Sequence, residues 1–107
     1  MTAGLRQLVG QAHEHGLTIV GCTISPTGGN TSLPGFDTPE HEAAREALNQ
    51  WIRSSGVFDG VVDADLVLRD PTQPKRLLPA FDSGDHLHPS TAGGVAVANS
   101  IDLWLLR

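Results

Sequence analysis

Asp85 and His88 stand three residues apart in Asp85-His86-Leu87-His88-Pro89, directly ahead of a run with helical spacing. A carboxylate and an imidazole so placed, on a loop entering a helix, can pair. The carboxylate accepts Nδ1–H and fixes the tautomer, and Nε2 is left to take a proton from a nucleophile. The plainer reading is a polar loop capping the last helix, with Asp85 as a turn residue. The usual settings for a nucleophilic serine are missing from the sequence: there is no Gly-Asp-Ser and no Gly-x-Ser-x-Gly elbow. Asp82-Ser83-Gly84 has the letters of such a motif but lies in the Asp/His loop itself, so the nucleophile role is not carried onto Ser83. Asp85 and His88 are therefore candidate catalytic residues that amount to half of an active site.

The other chemistry-bearing residues are weaker candidates. His86 and His88 with Asp82 and Asp85 could supply nitrogen and oxygen ligands to zinc, but no second ligand cluster has a recognisable spacing, and no metal site is expected. His13 and His15 lie two apart on a helix and point in different directions. His41 reads as a solvated residue of a first helical turn, and Cys22, at a strand end, as a small buried filler. Ser25 precedes a proline and lacks the tight glycine turn of an elbow. Gly28-Gly29-Asn30 does not lead into a helix with Lys and Ser/Thr at phosphate-loop spacing, so it reads as a flexible turn. Trp51 and Trp104 read as core or interface anchors.

These residues need a frame. Leu5, Leu8, Val9 and Ala12 recur at helical spacing, with Gly16 a natural stop. Leu17 to Cys22 reads as a strand apolar on both faces, the pattern of a parallel sheet covered by helices. Residues 25–37 turn to Pro, Gly, Asn, Ser and Thr, a long surface loop of the kind that is often functional. Thr38 then offers an N-cap with Pro39 at the first helical position and Glu40 and Glu42 in the first turn. Ala44, Leu48, Trp51 and Ile52 mark one apolar stripe on that helix, which Gly56 ends. Val57 to Val62 is a second strand, residues 70–74 a loop, and Pro89 opens a last helix with Val95, Ala98, Ile101 and Leu105 facing inward. The expected class is α/β, with about two parallel strands and three main helices. Two strands leave bare edges that invite another chain.

Asp82-Ser83-Gly84-Asp85-His86-Leu87-His88-Pro89-Ser90-Thr91-Ala92-Gly93 resembles the last conserved block of the SGNH (GDSL-type) hydrolases. Gly21-Cys22-Thr23-Ile24-Ser25-Pro26 is similar to the family's strand-to-loop segment, Pro39 through Arg53 to the helix that follows, and Val57 to Asp63 to its last strand. The resemblance spans the chain but covers only the C-terminal half of the family's domain, so residues 1–107 would form one C-terminal segment of a flavodoxin-like sheet. It implies that Asp85 is the triad acid and His88 the base of a serine ester hydrolase, with the serine and the oxyanion donors in an N-terminal half. A small ester is the implied substrate once that half is present, and no cofactor is implied. Without that half the chain would be inactive. The competing expectation is a non-catalytic module that self-associates to cover its sheet edges.

Composition narrows the partners. The 107 residues hold 7 basic and 12 acidic side chains, a net charge of −5, which argues against nucleic acid and anionic membrane surfaces. No apolar run approaches the roughly 20 residues of a membrane span. A second polypeptide or a second copy of the chain is the expected partner. A single cysteine and an opening Met1-Thr2-Ala3-Gly4-Leu5-Arg6 without a secretory apolar stretch lead to the expectation of a cytoplasmic setting.

Overall fold

The computed structural model describes residues 1–106. Along the chain run α1 (Thr2–Glu14), β1 (Val20–Cys22), α2 (Pro39–Ser54), β2 (Gly60–Val62), α3 (Ala64–Leu68), β3 (Arg69–Asp70), β4 (Gln73–Leu77), and α4 (Thr91–Ser100), with 3-10 turns at Pro79–Phe81 and Leu103–Leu106. β1 and β2 pair in parallel, Val20 opposite Gly60 and Cys22 opposite Val62, with α2 between them in sequence. The described residues thus form a mixed α/β fold, a two-stranded parallel sheet with four α-helices, consistent with a partial flavodoxin-like fold.

Local chemistry explains most of the boundaries. Thr38 caps α2, its hydroxyl accepting the His41 N–H at 3.2 Å, and Pro39 follows at the first helical position. β1 is shorter than Leu17 to Cys22 because the Asp59 side chain takes the Ile19 N–H at 2.8 Å and Leu17 N–H turns back to Ala12. β2 begins at Gly60, three residues later than expected. α3 and the β3–β4 hairpin are elements that the sequence pattern does not predict. Asp63 caps the five-residue α3 by accepting the Leu66 N–H, and residues 70–74, expected as a loop, hold the hairpin turn and the start of β4.

The buried faces depart further from the periodicity. On α2 the buried residues are Glu42, Arg45, Asn49 and Ile52, not an Ala44–Leu48–Trp51–Ile52 stripe. Ala44 is exposed and Leu48 half-buried, and together with Ile24, Phe36 and Ala47 they line an open apolar cavity of about 460 Å³. β1 and the two residues after it are likewise covered on one side only: Gly21 and Thr23 are buried, whereas Cys22 and Ile24 are exposed, so Cys22 is not the buried filler expected of it. On α4 only Gly93 is buried, while Val97 packs on the core. Val95 and Ala98 are exposed, contrary to the inward set expected. Trp51 is half-buried edge-on to Phe58, whereas Trp104 is exposed. The main cluster, Ala64, Leu68 and Leu77 with Val67, Phe81 and Val97, gathers α3, β4 and α4 around the 3-10 turn that leads into the Asp/His loop.

Candidate active site

The loop between the 3-10 turn and α4 is closed on itself before any side chain is considered. Ser90 N–H donates to Phe81 O at 2.8 Å and Ser83 N–H to His88 O at 3.0 Å, and Asp82 and Pro89 form an antiparallel bridge. Ser90 also caps α4 by accepting the Gly93 N–H, while its hydroxyl donates to Ala80 O. Gly84 takes φ +117°, a region closed to side chains, so the loop turns there. His86 sits at φ +58°, an uncommon conformation for a residue with a Cβ, and its ring is held by the loop's own carboxylate.

Within this loop two carboxylate–imidazole pairs form side by side. His88 Nδ1 lies 2.5 Å from Asp85 Oδ2, and His86 Nδ1 lies 2.5 Å from Asp82 Oδ2. In each case Nδ1 is assigned as the donor, since a carboxylate can only accept. His88 Nε2 makes no hydrogen bond to the described residues, and the His88 side chain is 69 % exposed against 24 % for Asp85.

Asp85 is held by five hydrogen bonds. Oδ1 accepts the N–H groups of Leu87 and His88 and the Ser83 hydroxyl, and Oδ2 accepts His88 Nδ1–H and the Ser32 hydroxyl at 2.7 Å. The His88 ring and backbone N–H, followed by Ser32, hold the Asp85 carboxyl far below the usual carboxylate range. Asp82 reaches the same state differently. Burial works against its charge, but N–H donors from Gly84 and His86 and the His86 ring outweigh it and lower its pKa.

The residues singled out from the sequence divide cleanly. Asp85 and His88 are together in bonding geometry. Ser83 turns its hydroxyl to Asp85, whereas among the described residues Ser25 makes no hydrogen bond to either member of the pair. His86 and His88, weighed above as metal ligands, each commit Nδ1 to a separate carboxylate, and among the described residues no three His, Cys, Asp or Glu side chains gather to hold a metal ion. His13 pairs with Asp59, His15 with the Gln11 carbonyl, and His41 stacks on Phe36 and bonds its carbonyl.

Sequence reasoning missed the residues that carry the pair from outside. Thr31 N–H donates to Asp85 O at 3.0 Å next to the Ser32 contact, tying the 25–37 loop to the Asp/His loop. No spacing rule links positions 53 residues apart. The 25–37 loop is in turn anchored at Gly28, whose N–H donates to Lys75 O at 2.8 Å, and at its start by α2. There the fully buried Asn49 accepts the Ile24 N–H and donates to the Ile24 carbonyl, and Arg45 donates to the same carbonyl. Arg45 belongs to a buried ion network: it grips Glu42 through two nitrogens and Asp65 through a third bond, while Arg53 binds Asp63 and Asp65. Burial opposes the Arg45 charge, but Glu42 and Asp65 outweigh it and raise its pKa.

The model of the GDSL-like lipase/acylhydrolase family matches residues 1–94, a span that takes in β1, α2, β2 and the whole Asp/His loop. The chain belongs to that family. No curated protein matches it. Family membership makes the chain hydrolase-like in kind. Among the described residues no helix is long and apolar enough to cross a membrane.

Proposed function

We propose that this chain is the acid/base-bearing segment of a serine ester hydrolase, with His88 as the general base and Asp85 as the residue that orients it. The observation that carries the reading is the Asp85–His88 pair: Nδ1 is bound to an ionised carboxylate and Nε2 is open to solvent. In the working enzyme Nε2 takes the proton of a serine hydroxyl as it attacks the ester carbonyl, then delivers that proton to the leaving alcohol. Asp85 stabilises the imidazolium in between.

The serine and the oxyanion donors come from an N-terminal half that carries the Gly-Asp-Ser block. Two open faces support this: the exposed Cys22–Ile24 side of β1 and the apolar cavity bordered by Ala44, Ala47 and Leu48 of α2. Alone, the chain has the pair without its nucleophile and is inactive. Loss of the serine in a comparable hydrolase lowers turnover on the order of 10⁶-fold. The substrate class is a small carboxyl ester.

The test is His88→Ala in an assembly that contains both halves. Ester hydrolysis is expected to vanish, and retained turnover would overturn the assignment. The same open apolar faces favour a second reading, a self-associating module in which two copies cover each other. A native mass that is a clean multiple of 11.3 kDa, with no second polypeptide, would decide for it.

A further inference from the structure

We infer that Ser32 is a positioning residue for the Asp85–His88 pair, acting as the tip of a strap that the 25–37 loop lays across the acid. The inference rests on the reading of that pair given above, and it concerns how the acid is held.

Asp85 receives two kinds of support. Four of its carboxylate contacts, from the Ser83 hydroxyl, the Leu87 N–H, the His88 backbone N–H and His88 Nδ1–H, are local to the loop and would form wherever that loop closes. The fifth, Ser32 Oγ–H to Oδ2 at 2.7 Å, comes from a different part of the fold. It lands on the same oxygen that accepts His88 Nδ1–H. Two donors on one oxygen fix both the torsion of the carboxylate and the direction of its second lone pair, and a hydroxyl bonded to a carboxylate is among the stronger hydrogen bonds. Next to it Thr31 N–H holds the Asp85 carbonyl, so main chain and side chain of the acid are gripped from one side.

The strap is itself fixed at several points. Gly29 N–H bonds Asp37 Oδ2, Asn30 closes a turn with Thr27 and Leu33, and Gly28 is pinned to Lys75. Ser32 therefore holds Asp85 to a prearranged loop. Its side chain is exposed, so removing Oγ leaves the core untouched.

The experiment observes the His88 Nδ1–H proton by NMR in the full chain, which needs no substrate and no second half. The resonance is assigned by its loss in His88→Gln. In Ser32→Ala the strap stays in place, but Oδ2 loses its second donor and the carboxylate is freer to turn away from His88. Exchange of the Nδ1 proton with water is therefore expected to rise about tenfold, the scale of one charge-assisted hydrogen bond. Ser32→Thr keeps the hydroxyl and is expected to restore wild-type exchange. Unchanged or slower exchange in Ser32→Ala would overturn the inference and leave the pair standing, and so would fast exchange in both variants. Asp85→Asn separates the two claims. If the wild-type resonance persists unaltered in that variant, the pair itself is misread and the role of Ser32 falls with it.

Discussion

Replacing Arg45 by Met tests whether the ion network under β1 holds the frame of the site. The Arg45 side chain is 6 % exposed, and its partners Glu42 and Asp65 are 10 % and 6 % exposed. Met keeps most of the stem volume and removes the guanidinium. Asp65 retains Arg53 at 2.6 Å and Arg69 at 3.5 Å, so it stays compensated. Glu42 loses both of its hydrogen bonds and is left as a buried charge with no cation. Breaking a buried pair from one side costs about 3–5 kcal/mol, most of it the penalty on the partner left behind. A chain of this length has about 5–15 kcal/mol in all. Among the described residues only Val9, Ile52, Ala64, Leu68 and Leu77 form the buried apolar core, which argues for the lower end. Urea unfolding followed by far-UV circular dichroism at pH 7 should therefore show Arg45→Met losing most of the native baseline. Glu42→Gln/Arg45→Met should recover about 1–2 kcal/mol, because the stranded charge is gone while the lost hydrogen bonds are not. A single variant within 1 kcal/mol of wild type, or a double variant no more stable than the single, would refute the reasoning.

Two further outcomes follow from the same frame. Arg53 hydrogen bonds, opposed by partial burial and helped by Thr23 and the Leu66 N–H, hold Asp63 down at about 2, below the ordinary carboxylate value of 3.8. Because that pKa is lower in the folded state than in the unfolded one, its stabilisation is complete above about pH 4 and is lost as pH falls toward 2. Urea midpoints measured across that window should drop in wild type and drop less in Asp63→Asn; equal acid limbs would remove Asp63 from the account. Gly28→Ala would place a Cβ 2.4 Å from the Lys75 carbonyl oxygen that its own N–H bonds. The expected loss is about 1–3 kcal/mol with faster hydrogen exchange at residue 28, and stability and exchange both unchanged would show that the loop is not pinned there.

What the sequence made legible was local. The Thr38–Pro39 cap needs one side chain and the next three residues, and the Asp85–His88 pair needs one turn of loop; both are present as expected. Periodicity failed where burial is polar. On α2, Glu42, Arg45 and Asn49 are the buried positions because Asp65 and the Ile24 backbone supply partners that no helical pattern reveals, whereas periodicity alone assigns the apolar residues to the inner face. α3 and the β3–β4 hairpin are too short for a repeat to register, and their order comes from the Asp63 cap and from the packing of Leu68 and Leu77. The Ser32 contact was hidden for a third reason: it joins two loops, and loops have no period.

The placement of these contacts separates what the chain can prepare alone from what a second half would have to add. The orientation of His88 is set by hydrogen bonds from residues 83–88 and by Ser32 and Thr31, all of which lie in loops at the ends of elements and none in the parallel sheet. Extending that sheet at the free edge of β1 would leave every one of those bonds as it is. The distance from His88 Nε2 to an incoming serine is a different kind of quantity, because it depends on where added strands end. In the proposed hydrolase, then, completion of the sheet need not reorganise the base. It has to deliver a nucleophile to an imidazole whose tautomer is already fixed, which confines specificity and rate to the geometry of that delivery.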